Sequence, residues 1–273
     1  SMVPIGAAVT DGYNAGHGLP FDSDGMKERY PGVFFSQFTG AELVAEKWNL
    51  SREDLDEFAL ESHQKAANAT ESKYFDREIL PVEGKNAEGI NELVLADEGI
   101  RFDASLDKLA GLKPVTDGGV ITAGNASQIT DGAAAVMICN DAGLKKIQSN
   151  PRAEIVSISV VGDDPVFMLT GPIPASKKAL EAAGLSIDDM DLYEVNEAFA
   201  PVPLAWAHDL EADKSKLNVN GGAMALGHPL GATGAKLMTT MLHELERRNG
   251  NYALQAICEG GGTANATIIK RLS

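Results

Sequence analysis

Cysteine is scarce in this chain of 273 residues, which contains only Cys139 and Cys258. Two thiols in unlike surroundings give no sign of a disulfide framework, as is usual in a reducing compartment. No group of cysteine and histidine residues has the spacing of metal ligands. We therefore expect neither a structural disulfide nor a metal, and the sequence implies no bound cofactor.

Long apolar runs and basic residues are also limited. No apolar run approaches the roughly 20 residues that a membrane-spanning helix needs, and no basic segment precedes an apolar core as in a signal peptide. We therefore expect a cytoplasmic protein without a membrane span. The 23 Lys and Arg residues against 39 Asp and Glu give a formal charge of −16. This balance argues against binding of nucleic acid, because Lys and Arg must neutralise its phosphates.

The remaining composition is that of a globular protein, with 44% hydrophobic and 23% charged residues. Helical and strand-like patterns alternate after residue 153, and the order βαβαβαββ predicts an α/β domain with a mixed, mostly parallel sheet. The region before Leu112 reads instead as a loop and helical insertion, with loops at 6–32 and 85–91. Its predicted helices are 39–48 and 51–72, the second opened by Ser51 and Asp54 as a weak capping box. The later strands are predicted at 154–162, 192–195, 217–220, 252–258 and 266–271, and the later helices at 173–183, 196–210 and 230–248.

The most specific motif is the run of small residues from Asn218 to Gly234, which contains a single histidine, His228. Glycines let backbone N–H groups approach a ligand closely, and Pro229 fixes the chain where a helix is about to start. We therefore expect His228 at a helix N-terminus, facing a pocket. A lone histidine is more often structural, but the flanking glycines favour a functional role.

Two further motifs follow predicted strands. Cys258 ends an apolar run and is followed by Glu-Gly-Gly-Gly, whose N–H groups favour negative charge and should ease thiolate formation. Asn196 begins Asn-Glu-Ala-Phe-Ala, and as an isolated residue it could simply cap the next helix. Since ligands gather at the carboxyl ends of strands in α/β sheets, both residues should lie near His228. Cys139 lies in an apolar segment without such glycines and is predicted to be a small core residue.

Taken together, Asn-Glu-Ala-Phe, Gly-His-Pro and Cys-x-Gly-Gly-Gly resemble the signature motifs of the thiolase family, enzymes that make or cleave 3-ketoacyl-CoA. The segments 123–127, 131–135 and 171–175 also look like family segments. The resemblance implies three regions: 1–127, a loop domain that covers CoA; 128–150, the tail of an N-terminal domain; and 151–273, the C-terminal domain. The nucleophilic cysteine of the family would belong to a segment before Ser1.

The resemblance also implies catalytic roles for four residues. Cys258 would move the α-proton of the substrate. His228 would donate an N–H group to the thioester oxygen and activate the nucleophile, with its pKa lowered by the helix N-terminus behind it. Asn196 would hold a water or donate to the same oxygen, and the N–H group of Gly260 would contribute to a second oxyanion hole.

Coenzyme A would be a substrate, and its anionic groups need local basic residues. The candidates are Arg101, Lys108 and Lys113, of which Arg101 matches a family position near the adenine, while the role of Lys108 stays open. The resemblance implies that four further residues line the path of the pantetheine: Ala123, Ser127, Ala198 and Phe199. Family members are oligomers, so we expect a homodimer or tetramer, or association with the missing N-terminal half.

The favoured function is thus acyl transfer of the thiolase type, either cleavage of 3-ketoacyl-CoA with CoA or Claisen condensation of acetyl-CoA. The alternative is a non-catalytic CoA-binding or assembly subunit, because this chain lacks the nucleophile. The related ketoacyl synthases place histidine or asparagine where this chain has Cys258. Gln37-Phe38 stands where short-chain biosynthetic relatives often have His-Met, which favours degradation of longer or bulkier acyl groups.

Overall fold

A computed structural model describes residues 6–19, 21–85 and 88–272 of the chain. The first half consists of short helices around one long helix, and a small antiparallel hairpin. The helices are α1 (Ala7–Asn14), α2 (Asp24–Arg29), α3 (Gln37–Lys47), α4 (Arg52–Glu71), α5 (Leu106–Ala110) and α6 (Asp141–Ile147), and the hairpin pairs β1 (Val82–Lys85) with β2 (Asn91–Val94).

Local capping explains where the longest of these helices begins. The Ser51 hydroxyl accepts the Asp54 N–H at 3.1 Å, and the Asp54 carboxylate accepts the Ser51 N–H at 2.7 Å, so the predicted capping box is confirmed. The prediction of a loop over 6–32 is wrong, since α1 and α2 lie within it. Helices of 8 and 6 residues are too short to reveal a helical period in the sequence.

The second half forms a four-stranded sheet with the strand order β3-β6-β5-β4. The α/β class and the mixed sheet are confirmed. The expected excess of parallel pairs is wrong, because β3 and β5 both run antiparallel to β6 and only β4 and β5 are parallel. The strands are β3 (Ala153–Gly162), β4 (Leu192–Val195), β5 (Tyr252–Glu259) and β6 (Thr263–Arg271), and the helices are α7 (Pro172–Ala183), α8 (Pro201–Asp209), α9 (Ala223–Leu226) and α10 (Thr233–Arg248).

Three predicted boundaries shift, and each shift lengthens the loops at the end of the sheet. Residues 196–200 form a loop after β4 instead of starting a helix; the Asn196 N–H still donates to the Ala256 carbonyl, and α8 begins at Pro201. The helix expected from Leu230 begins at Thr233. The strand expected at 217–220 is reduced to two isolated parallel bridges, Leu217 with Tyr193 and Val219 with Gly221.

Helices cover both faces of this sheet. On one face α7 and α8 pack over the main core, where the fully buried Trp206 indole donates to the Ser176 hydroxyl at 2.8 Å. On the other face α10 contributes Met241 and Leu245, which pack with Leu192 of β4 and complete a smaller apolar cluster. Alternate residues of β4 and β5 therefore point to different layers, and the loops of the site leave the same edge.

Cys139 does not lie in a core, so its sequence-based prediction is wrong. It is exposed, and so is every residue from 131 to 142. The apolar run before it has no regular secondary structure, and Met137 is 77% exposed. The domain division predicted at residues 127 and 150 stays a prediction. Within the described ranges, no helix is long and apolar enough to cross a membrane.

Candidate active site

The carboxyl ends of β4 and β5 open onto a cavity of about 350 Å³. Four of the predicted site residues line it: Ala198, His228, Cys258 and Gly260. They come from three loops that leave one edge of the sheet, as the positions of the motifs after predicted strands had indicated. The remaining wall combines the apolar side chains of Met168, Leu169, Leu230 and Ile257 with polar ones, those of Gln37, Thr233, Glu259 and Asn265.

His228 is held through both nitrogens of its ring. Nδ1 lies 2.6 Å from the Thr233 hydroxyl oxygen, and Nε2 lies 3.3 Å from the Asn196 side-chain nitrogen. The Thr233 hydroxyl donates its single proton to the Pro229 carbonyl at 3.0 Å, so it accepts from Nδ1–H. Nε2 is therefore the unprotonated nitrogen, and it accepts a hydrogen bond from the Asn196 amide.

Burial lowers the pKa of His228. The direction matches the prediction, but the cause differs, since α10 begins five residues later at Thr233 and no helix starts at the histidine itself. Removal of water disfavours the charged imidazolium. The imidazole is consequently neutral at pH 7, as a hydrogen-bond acceptor or a general base requires.

Cys258 lies at the end of β5 and packs into the main core at 8% exposure. Burial raises the pKa of its thiol to about 12, and the neighbouring Glu259 carboxylate acts in the same direction. The expectation that the glycine-rich turn eases thiolate formation is therefore wrong for this structure. The cost of burying a thiolate outweighs the N–H dipoles, and the resting group is a thiol.

The exposed Cys139 and the buried Cys258 should differ in their reactivity toward alkylating agents, and this difference can be measured. At pH 8 a thiol with a pKa of about 12 holds only about 10⁻⁴ of its population as thiolate, the form that reacts with alkylating agents. We expect brief iodoacetamide treatment of the native chain to modify the exposed Cys139 and to spare Cys258, as read by peptide mass spectrometry. In denaturant both should react. Equal labelling of the two cysteines in the native chain would contradict the buried thiol.

Gly260 lies in the turn between β5 and β6, and the two glycines that follow it adopt positive φ angles of 78° and 80°. The Gly262 carbonyl accepts the Asp163 N–H at 2.7 Å, which ties the turn to the end of β3. A side chain at Gly262 would meet backbone atoms within 3.0 Å. The glycines are therefore required by this turn, and the turn brings Gly260 to the cavity.

The residues expected along the pantetheine path are only partly brought together. The Ser127 N–H donates to the Ala198 carbonyl at 2.9 Å, and Ala126 forms a bridge with Phe199. Phe199 is buried against Phe38, with ring centroids 5.5 Å apart. Ala123 is exposed and does not line the cavity.

Arg101 lies at a different opening, a cavity of about 290 Å³ that it lines with His63, Asn68, Glu71 and Phe102. The Arg101 N–H donates to Nδ1 of His63 at 3.1 Å, and burial lowers the pKa of that histidine. Lys108 forms an exposed ion pair with Asp103, whose backbone carbonyl also accepts from its ammonium group. Lys113 is likewise exposed and lines neither cavity.

Sequence reasoning missed Thr233 and Met168. Thr233 orients the imidazole, and its signal was its place in the motif, five residues after His228. Met168 lines the cavity with a φ of 60°, a conformation that is strained for a side chain of this size and occurs preferentially at functional sites. Nothing in the sequence indicated that conformation.

Two sequence models of one protein family match the chain. The model described as Thiolase, C-terminal domain, covers residues 149–271, and the one described as Thiolase, N-terminal domain, covers residues 21–142. Steroid 3-ketoacyl-CoA thiolase FadA6 of Mycobacterium tuberculosis is 52% identical over all 273 residues, which span 66% of that protein. Acetyl-CoA acetyltransferase of Shinella zoogloeoides is 44% identical over 276 aligned positions, which cover the whole chain and 70% of that protein.

A solved structure agrees with these matches. Human mitochondrial 3-ketoacyl-CoA thiolase superposes with a TM-score of 0.83 at 46% identity, over 86% of this chain and 59% of that one. The chain thus spans about two thirds of the length of its relatives. The motifs around the cavity, both sequence models and the fold agree, and the chain belongs to the thiolase family.

Proposed function

We propose that the protein is a thiolase enzyme that cleaves 3-ketoacyl-CoA with CoA. The observation that carries this proposal is the single cavity bordered by His228, Cys258 and Gly260, with Asn196 hydrogen-bonded to the imidazole. The relatives described above are all named for thiolase or acetyltransferase enzymes. They give no support to the alternative of a non-catalytic subunit.

In this proposal His228 acts first as a base. Its unprotonated Nε2 takes the proton of the nucleophilic thiol, which the rest of the protein would supply, and the resulting Nε2–H donates to the oxygen of the thioester in place of accepting from Asn196. Thr233 keeps Nδ1 protonated throughout, so that the proton moves only at Nε2. Asn196 and the N–H group of Gly260 are then the further donors for negative oxygen.

Cys258 would serve as the acid of the cleavage step. The nucleophilic thiolate first attacks the β-carbonyl carbon and forms a C–S bond; when the bond between the α- and β-carbons then breaks, the electron pair stays on the α-carbon of acetyl-CoA as an enolate. The S–H bond of Cys258 then breaks as a C–H bond forms, and the incoming CoA thiol returns a proton to the sulfur. A thiol whose pKa is raised to about 12 rests in the protonated form that this direction needs.

We further propose a bulky acyl group as the preferred substrate. The apolar wall formed by Leu169, Leu230 and Ile257 suits a hydrocarbon, and Gln37 also lines the cavity. The relative that is 52% identical is named as a steroid thiolase, whereas the one at 44% is named as an acetyltransferase. Both observations favour a degradative enzyme for large acyl chains, active in fatty acid or other lipid metabolism.

CoA would lie as a substrate along Ser127, Ala198 and Phe199, with Arg101 near its adenine end; a complex with CoA is known for the human enzyme. We propose that no other cofactor takes part and that the protein works in the cytoplasm. Exposed apolar side chains of residues 129–138 and of β3 support burial against more protein, either the remainder of the enzyme or a second copy in a homodimer or tetramer.

The proposal is tested with the full-length gene product. We expect cleavage of 3-ketoacyl-CoA in the presence of CoA, with kcat/KM at least about tenfold higher for a ring-bearing acyl group than for acetoacetyl-CoA, since each added methylene is worth about 1–3 kcal/mol in a matching pocket. The 273 residues alone should be inactive, because neither of their thiols is an activated nucleophile. Absence of cleavage by the full-length protein would refute the proposed thiolase activity. A preference for acetoacetyl-CoA would refute the proposal that the substrate carries a bulky acyl group.

A further inference from the structure

Four buried oxygen atoms lie close to the active site without a hydrogen-bond partner among the described residues. They are both carboxyl oxygens of Glu194, the side-chain oxygen of Asn196 and that of Gln255. The three residues are 1%, 1% and 4% exposed. A buried polar atom without a partner costs about 1–3 kcal/mol, so a group of four requires an explanation.

Strand geometry places these atoms in one layer. Glu194 and Gln255 are register partners in the parallel pair β4–β5, and their side chains therefore share a face. It is the α10 face, since a Cβ atom on Gly234 of α10 would lie 3.8 Å from the Gln255 side-chain nitrogen. Asn196 follows two residues after Glu194 in the same ladder, about 6.6 Å along the strand. This is the spacing of the Cα atoms; one buried water, whose two hydrogen bonds span at most about 5.6 Å, can connect the side chains where they lean toward each other.

Glu197 provides the contrast, although it is equally buried. Its carboxylate accepts from the Ser62 hydroxyl at 2.7 Å, the Asn218 amide at 2.9 Å and the Met224 N–H at 3.1 Å. Burial raises the pKa of Glu197 above its usual value, and these three donors offset part of that rise. Glu194 has none, and the side-chain oxygens of Asn196 and Gln255 in the same layer are also without a partner among the described residues. These four oxygens lack a donor, and protonation of Glu194 supplies one.

We propose that Glu194 is a positioning residue: as a neutral acid, together with Gln255 and an internal water, it holds the Asn196 oxygen and so keeps the Asn196 nitrogen directed at His228. The amide then donates to Nε2, which favours the neutral imidazole. The inference rests on the proposed function for its catalytic meaning, but the contact with His228 exists without substrate.

Burial and the nearby carboxylates favour the protonated form of Glu194. Burial raises the pKa of Glu194 well above its usual value, and the nearby carboxylates of Glu197, Glu78 and Glu244 raise it further. Lys65 opposes them, but its ammonium group is engaged by Glu61 and by the Leu217 carbonyl. Glu244 is compensated by Arg247 and Arg248, and Glu78 lies 3.5 Å from His243.

Infrared spectroscopy of the full-length protein tests the protonation directly. At pH 7, the difference spectrum between the native chain and Glu194→Gln should contain the carbonyl stretch of a protonated carboxyl, shifted in D₂O. Glutamine keeps one donor and one acceptor, so this variant should fold. The exposed Glu181→Gln serves as the control and should lack the band. A Glu194→Gln difference spectrum without it would overturn the proposal.

The second measurement concerns the contact with His228, by NMR titration of its ring proton. In Glu194→Leu the Asn196 side-chain oxygen loses the donor that Glu194 supplies. The amide group is then free to rotate by 180°, so that its oxygen accepts a hydrogen bond from the protonated imidazole of His228. The midpoint should rise by roughly one pH unit, the equivalent of one hydrogen bond. Glu194→Gln should leave the midpoint unchanged. The control Ser159→Ala, which removes a buried hydroxyl on β3, should also leave it unchanged.

An unchanged midpoint in a folded Glu194→Leu chain would overturn the positioning role. If that variant does not fold, Gln255→Leu removes the neighbouring oxygen and serves the same test. Neither experiment uses substrate, so a failure of the inference is distinguishable from a failure of the proposed thiolase activity. Kinetics of the full-length Glu194→Leu enzyme should then show a fall in kcat with KM retained.

Discussion

Replacing His228 by alanine in the full-length enzyme should lower kcat by about 10²–10⁴, because base and oxyanion donor are lost together. KM for the acyl-CoA should change little, since the imidazole acts on the reacting atoms. Initial-rate assays of 3-ketoacyl-CoA cleavage measure kcat and KM. The acid limb of the native pH profile should lie below 6.5, because burial lowers the pKa of His228 and the base is lost only when it is protonated.

His208 provides the control for this variant. It is an exposed histidine on α8, paired with Asp209 and remote from the cavity lining. His208→Ala should retain native activity. An enzyme that keeps more than about a tenth of its kcat without His228 would contradict the assigned role, given the usual size of such effects.

Replacing Cys258 by alanine should cost a comparable factor of about 10²–10⁴, but in one step of the reaction only. Transfer of the α-proton stops, whereas transfer of an acyl group to and from the nucleophile continues. Exchange of acetyl-CoA methyl protons with D₂O, followed by mass spectrometry, should therefore disappear in Cys258→Ala, while acyl exchange between CoA molecules persists.

Cys139→Ala is the matched control, since it removes the other thiol of the chain and should preserve both exchanges. Serine at position 258 should not rescue proton exchange, because a hydroxyl is a far weaker acid than a thiol. Undiminished methyl exchange in Cys258→Ala would assign the proton transfer to another group.

Those features that depend on a few neighbouring residues could be predicted from the sequence. The capping box at Ser51, the bounds of β4 and the convergence of three motifs at one edge of the sheet all follow from local pattern and strand direction. The reversal of β6 between β3 and β5 could not, because the sequence pattern of a buried strand is the same in either direction.

The electrostatics of the site required three-dimensional packing. The glycines after Cys258 predict a stabilised thiolate, but the pKa is decided by residues that cover the sulfur from distant parts of the chain. Similarly, Glu194 and Glu197 differ little in sequence context. Only the positions of Ser62, Asn218 and Met224 distinguish a carboxylate with three donors from a carboxyl group with none.

The three hydrogen bonds to Glu197 also bear on how the molecule opens. Their donors belong to α4, to the loop before α9 and to α9 itself, which immediately precedes the His228 loop. Detaching any one of these segments leaves a buried carboxylate short of a donor, so the three should separate from the core together. Amide hydrogen exchange would then report one shared opening free energy for α4 and α9. The stability of α4 would therefore also determine how long the His228 loop stays in place.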